Sequence, residues 1–326
     1  MITRRRALTT ALAATLTAGS AAALAPRAAR SGGRAFRIGY QKNGILAVAK
    51  ERGAIEARLA PLGADVTWTE FSYGPPLLEA LGLGGIDFGQ TGDAPPIFAQ
   101  AANAALVYAA SQPDGGSGSA ILLPRESGIR SLADLRGKRV AFAKGSSAHN
   151  LTVAALETAG LTYRDIEPVT LAPADAAAAL VRGAVDAWTV WDPYFAIAET
   201  GGGVRVLAQA SEIGPTNNFF LANRGFAAAE PGTLAAAIET LGEVARWCED
   251  NRGSVAASLA KATGVPLAAT QRTVGRIKYT LAPMTPAVVA EQQRIADRFH
   301  GLGLIPRPIR VADIVWTPPG QRANNG

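Results

Sequence analysis

Reactive side chains are scarce in this sequence. Its 326 residues include one cysteine, Cys248, and two histidines, His149 and His300. A lone thiol excludes an intramolecular disulfide, and two distant histidines with one cysteine leave no metal-ligand spacing, so neither a metal nor a cofactor is expected. Long apolar runs are missing as well. No stretch is long enough to span a bilayer, including the mildly apolar one near the N-terminus. Glycine and proline are plentiful, at 35 and 20 residues, but scattered, which suits many turns better than disorder.

The formal net charge of +6 is concentrated at one end. Residues 1–30, MITRRRALTTALAATLTAGSAAALAPRAAR, hold Arg4, Arg5, Arg6, Arg27 and Arg30 and no acidic residue. An arginine cluster, a short Ala/Leu/Thr run and then small residues read as an export signal that is removed. Thr3-Arg4-Arg5-Arg6-Ala7-Leu8 is similar to a twin-arginine signal, with Ala7 where a large apolar residue is usual; an ordinary secretory n-region is the other reading. Without this leader the chain is nearly neutral, so its basic pI implies no nucleic-acid partner. No cysteine follows the leader to carry a lipid, so the exported protein is expected to be soluble and not a lipoprotein.

Strand-like and helix-like segments alternate after the leader. Residues 35–40, 65–71, 86–90 and 105–111 read as strands, with helices at 46–59, 76–83 and 95–103 between them. A glycine-rich break, Gln112–Ser119, precedes a strand at 120–123. The alternation then restarts through strands at 139–143, 166–171, 185–190 and 201–209. A strand at 216–223 follows, and the remainder is helical. This pattern predicts an α/β protein of two lobes, each a mostly parallel sheet flanked by helices. The expected boundaries put 35–124 and 213–318 in lobe I and 125–212 in lobe II. Two chain crossings between the lobes predict a hinged clamshell with its ligand site in the interlobe cleft.

The same junction recurs three times: Thr91-Gly92-Asp93, Lys144-Gly145-Ser146-Ser147 and Trp191-Asp192-Pro193 each stand where a strand ends and a helix begins. A helix start leaves backbone N–H groups unpaired and carries partial positive charge. Glycine admits close approach of a ligand and serine or threonine adds a hydroxyl, so such turns can cradle an oxyanion. Each turn also has a plainer reading, because Ser147 and Asp192 suit helix N-caps and Pro95 and Pro193 suit a first helical turn. Gln41 and Asn43 follow the first strand at the same level and either cap the next helix or point at a ligand. Trp191 either lines a pocket or edges the core that receives Trp188. Asn217 and Asn218 lie at the return crossing.

The blocks RIGYQKNGILAVAKERG, EFSYGPPLLEALGLGGIDFGQTGDAPPIFAQAA, VAFAKGSSAHNLTVAALETAGL and TLAPADAAAALVRGAVDAWTVWDPYFA resemble the aliphatic-sulfonate-binding periplasmic proteins. These are substrate-binding components of ABC importers in the nitrate/sulfonate/taurine group. The resemblance runs from about Phe36 to Trp316 and implies the periplasmic-binding-protein type 2 fold. It implies a soluble, monomeric periplasmic receptor that captures an organosulfonate as a sulfur source and delivers it to an ABC permease and its ATPase. Carried over residue by residue, the headgroup donors are Gln41, Thr91, Gly92, Ser146, Ser147 and His149, with Trp191 and Asp192 closing the site. Asp93 either caps its own helix or accepts from a ligand amine. Asn218 transfers from the less word-for-word C-terminal half. Taurine and nitrate remain alternative ligands.

Enzyme chemistry is poorly supported. Ser147 with His149 lacks the closing glycine of a G-x-S-x-G elbow and an acid to orient the imidazole. Sulfinate desulfinases resemble the same group but use a cleft cysteine, whereas Tyr40-Gln41-Lys42-Asn43 has none. Cys248 sits in a helical pattern, as a buried small hydrophobe would.

Overall fold

The computed structural model describes residues 34–319; the expected export signal at 1–30 lies outside the described residues. The first lobe opens with β1 (Arg34–Tyr40), α1 (Gly44–Glu51), α2 (Ala54–Leu59), β2 (Ala64–Glu70), α3 (Gly74–Gly82), β3 (Phe88–Thr91), α4 (Ala94–Ala101) and β4 (Leu106–Pro113). The single helix expected over 46–59 is two, because Gly53 takes a left-handed conformation (φ 60°) between them. The chain then enters a second lobe of β5 (Ser119–Pro124), β6 (Arg139–Phe142), α5 (Ser147–Thr158), β7 (Glu167–Thr170), α6 (Pro173–Val181), β8 (Ala187–Trp191), α7 (Tyr194–Thr200), β9 (Val204–Gln209) and α8 (Ala210–Ile213). It returns through β10 (Asn217–Asn223) and continues as α9 (Arg224–Ala229), α10 (Pro231–Asp250), α11 (Arg252–Thr263), α12 (Leu267–Arg276) and α13 (Pro286–Gly301).

Each lobe holds one five-stranded sheet, ordered β2-β1-β3-β10-β4 in the first and β7-β6-β8-β5-β9 in the second. The sheets are mixed. In each, two parallel pairings are followed by two antiparallel ones, so one strand opposes the other four. That strand is β10 in lobe I and β5 in lobe II, the two that receive the chain from the other lobe. A chain arriving from the cleft must run away from it, whereas the other strands run toward it. This corrects the expected boundary at 124/125: Ser119–Pro124 pairs with β8 and β9, so the outward crossing is the glycine-rich 114–118.

The two strand orders superimpose element for element, with β1 matching β6 and β3 matching β8. The same ion pair fastens both sheets. Asp87 accepts from the Arg37 amide (2.8 Å) and guanidinium (2.6 and 2.9 Å). Asp186 does the same for the Arg139 amide (2.8 Å) and guanidinium (2.8 and 3.1 Å). Each pair ties the starts of two parallel neighbours, β1 and β3 in lobe I and β6 and β8 in lobe II.

Helices α1, α2, α10 and α11 bury one face of the lobe I sheet, and Cys248 is wholly enclosed there. Helices α3, α4 and α13 cover the other face. Proline near the first turn and a polar cap set several helix starts; Thr285 accepts from the Val288 amide ahead of Pro286. No helix among the described residues is long and apolar enough to cross a membrane.

Candidate functional site: the interlobe cleft

Because all but one strand of each sheet run toward the other lobe, the strand-to-helix turns meet in one cleft enclosing about 230 Å³. Gln41, Thr91, Gly92, Asp93, Ser146, Ser147, Trp191, Asp192 and Asn218 all line it. His149 does not, and the expectation that it contacts the headgroup is corrected. Its imidazole is fully buried beside the cleft, stacked on Phe142 (4.8 Å between centroids) and flanked by Phe299, Tyr163 and Phe98. Nδ1 accepts from the Gly145 amide at 3.2 Å. Burial pushes its pKa down to about 4, helped by the positive charge of Lys144, so the ring is neutral at pH 7.

The lobe symmetry sorts the turns into two kinds. At β3→α4 and β8→α7 an aspartate occupies the helix start. Asp93 Oδ1 accepts from the Ala94 amide at 2.6 Å, and Pro95 and Pro96 have no amide hydrogen to offer. Asp192 Oδ1 accepts from the Ala196 amide at 2.9 Å. A carboxylate thus already stands at each of these two helix starts, which disfavours a second anion there. At β1→α1 and β6→α5 the residues before the helices, Asn43 and Ser146, make no side-chain cap bond. Ser146 instead donates its hydroxyl to the Ala143 carbonyl at 2.7 Å. The first turns of α1 and α5, one from each lobe, thus face the cleft with their amides uncapped, where an anion is favoured.

The aspartates reach across the cleft as well. Asn150 in α5 donates to Asp93 Oδ2 at 2.7 Å, and Asn43 donates to the Asp192 carbonyl at 2.7 Å. Burial pushes the pKa of Asp93 up to about 6, with the bonds from Asn150, Ala94 and Ser147 opposing it. Burial also pushes Asp192 up to about 6, against the pull of Arg276.

Several cleft residues carry no signal in the sequence. Arg276 from α12 pairs with Asp192 (3.2 Å) and Glu199 (2.6 Å). Arg298 from α13 donates to Asn150 (3.0 Å) and pairs with Glu157 (3.0 Å). Both come from the helical C-terminal segment, where nothing local distinguishes a cleft residue from a solvated one. Gln90 and Gln112 form an amide chain from Gln41 toward Lys278: Gln41 donates to the Gln90 carbonyl (3.1 Å), Gln90 donates to Gln112 (2.5 Å) and Gln112 donates to the Lys278 carbonyl (2.7 Å). Asn150 was not among the expected site residues, although its place one helical turn after Ser146 is a signal that could have found it. Asn218 is held by Asp114, to which it donates at 3.3 Å.

Apolar surface completes the cleft. Leu151 and Ile295 line it beside α5 and α13, while Trp191, Ile213 and Ile277 also line it. Trp188, two residues before Trp191, alternates into the core at 2% exposure.

Such a cleft, with uncapped helix starts from two lobes and apolar walls, is that of a two-lobed solute receptor. The family described as "ABC transporter, phosphonate, periplasmic substrate-binding protein" matches residues 63–272. A relative from Escherichia coli (strain K12) is 42% identical over 293 residues, covering 89% of this chain and 91% of its own. The alkanesulfonate-binding protein from Xanthomonas axonopodis pv. citri bound to MOPS is similar at 41% identity and a TM-score of 0.83, over 86% of this chain and 98% of that one. The periplasmic aliphatic sulphonate binding protein from Escherichia coli gives 41% identity and a TM-score of 0.80, over 87% and 92%. The chain belongs to the periplasmic substrate-binding proteins of ABC transporters. A desulfurization enzyme shares the fold at a TM-score of 0.64 but only 16% identity, a likeness of architecture alone.

Proposed function

We propose that this protein captures aliphatic sulfonates in the interlobe cleft and presents them to an ABC permease. The observation that carries the reading is the pair of uncapped helix starts, α1 and α5, facing one cleft from opposite lobes. A sulfonate is a monoanion with three equivalent oxygens and no proton to give near neutral pH. Backbone amides and hydroxyls from two directions suit it, and no unpaired cation is needed. The apolar surfaces of Leu151, Ile213, Ile295 and Trp191 provide for an organic tail. The similarity to a receptor solved with MOPS, itself a sulfonate, supports the same class.

The cleft favours alkanesulfonates over taurine. An ammonium calls for an available carboxylate, but Asp93 and Asp192 each hold a helix amide and a donor side chain, Asp114 accepts from Asn218 and the Gly116 amide, and Glu291 pairs with Arg294. Delivery to a permease and its ATPase, export of the chain by its arginine-rich leader and action as a soluble monomer complete the proposal.

Isothermal titration of the mature protein against ethane-, butane- and octanesulfonate, MOPS, taurine, nitrate and sulfate tests it. The sulfonates should bind and sulfate should not. Tight binding of nitrate or sulfate with no response to any sulfonate would overturn the reading.

A further inference from the structure

The two lobes touch through contacts of different kinds. An aromatic group behind the cleft brings Phe98 and Phe299 of lobe I against His149 of lobe II. Apolar contact of this sort is non-directional and tolerates sliding. Directional contacts come from the turns. Asp93, from the β3→α4 turn of lobe I, accepts from Asn150 of lobe II; Asp192, from the matching β8→α7 turn of lobe II, accepts through its carbonyl from Asn43 of lobe I. The two contacts run in opposite directions between the lobes: Asn43 stands just before α1, and Asn150 stands in the first turn of α5. Each asparagine is thus next to an uncapped helix start and is fixed by the aspartate at a capped one.

We propose that Asp93 with Asn150, and Asp192 with Asn43, are positioning pairs that set the register of cleft closure and so align the α1 and α5 starts on a ligand that none of the four side chains needs to touch. Their neighbours fit this role. Asn150 keeps its orientation because Arg298 donates to its carbonyl oxygen at 3.0 Å, leaving the amide nitrogen for Asp93. Gln292 donates to the Asp93 carbonyl at 2.7 Å and holds that turn from lobe I. On the other side Asp192 is steadied by its own Ala196 amide and by Arg276. Asn43 makes no cap bond to α1, so its amide is free for the crossing contact.

The inference rests on the sulfonate reading only for its choice of ligand. Asn43→Ala, Asn150→Ala and the double variant test it, since neither asparagine caps a helix and alanine suits the interior of α5. Each single variant should weaken octanesulfonate, butanesulfonate and MOPS by one common factor of about tenfold, the double by about a hundredfold. The change should appear in the dissociation rate; Asn150→Ala should also lower the melting temperature of the free protein, because it leaves the buried Asp93 carboxylate without that donor. Spin labels on cysteines placed at exposed Leu83 and Val181 report the interlobe distance, because the native Cys248 is buried. The double variant should lengthen or broaden that distance in the ligand-bound protein. If wild type binds no sulfonate, the sulfonate reading fails, and the same distance in the free protein decides the closing role. Unchanged affinities and distances overturn the inference. A loss that differs between ligands also overturns it, by marking the asparagines as direct ligand contacts.

Discussion

Gly92 and Ser147 meet across the cleft so closely that a Cβ on Gly92 would overlap the Ser147 hydroxyl and press on the Ser147 Cβ at 3.1 Å. Gly92 lies outside the left-handed region, so this glycine serves the approach of the lobes rather than a strained turn. Gly92→Ala should therefore fold normally, keep its melting temperature and lose at least tenfold in sulfonate affinity. Adding Ser147→Gly should restore part of the loss. Titrations of the two single variants and the double form a cycle that measures the clash directly. Additive effects would mean that the two residues do not meet when ligand is bound.

The apolar walls predict a dependence on tail length. Each methylene buried between Leu151, Ile213, Ile295 and Trp191 should add about 0.8 kcal/mol to the binding free energy. Affinity should rise from ethane- to hexanesulfonate and then level off as the tail reaches solvent. Trp191→Ala should reduce the slope of that series more than its intercept.

Two buried carboxylates and one buried imidazole pull the acid stability in opposite directions. Asp93 and Asp192, raised by burial to about 6 from 3.8, keep protons in the folded protein that the unfolded chain releases. Their contribution to stability therefore improves as pH falls from about 6 toward 4. His149, lowered to about 4 from 6.5, refuses a proton that the unfolded chain accepts, so its contribution worsens as pH falls through that range. Urea unfolding between pH 7.5 and 4.5 separates them. Relative to wild type, His149→Phe should gain stability on acidification and Asp93→Asn should lose it.

The matching ion pairs of the two sheets should differ in weight. The Asp87 side chain is 5% exposed, while that of Asp186 is 31% exposed. Asp87→Ala leaves the Arg37 amide without its acceptor in a dry site and should cost about 2–3 kcal/mol. Asp186→Ala should cost about 1 kcal/mol, because water reaches the Arg139 groups it abandons. Chemical denaturation of the two variants checks the order.

The proposed export signal makes a prediction independent of the fold. Replacing Arg4, Arg5 and Arg6 together by lysine should leave the precursor in the cytoplasm if export uses the twin-arginine route. Normal appearance of the mature protein outside the membrane would assign it to the general secretory route.

Much of the architecture was legible because its signals are local. The strand at 65–71 follows from its apolar/polar alternation, and the Thr91-Gly92-Asp93, Ser146-Ser147 and Trp191-Asp192-Pro193 turns are short, bounded words. That β5 belongs to the second sheet was not legible, since a strand's sequence does not name its partner. Nor was the position of His149: the same helix turn offers one face to the cleft and another to Phe142 and Phe299.

By itself the sequence determined an alternating α/β chain, its candidate turns and the chemistry those turns could offer an anion. Only the tertiary structure decided which helix starts remain open. Capping depends on where a carboxylate's oxygens point, so Asp93 and Asp192 close their own helices while α1 and α5 stay uncapped. It also decided that Asn43, Asn150, Arg276 and Arg298 belong together at one cleft. They are far apart in the chain, and only the outward and return crossings between the lobes bring them to one cleft.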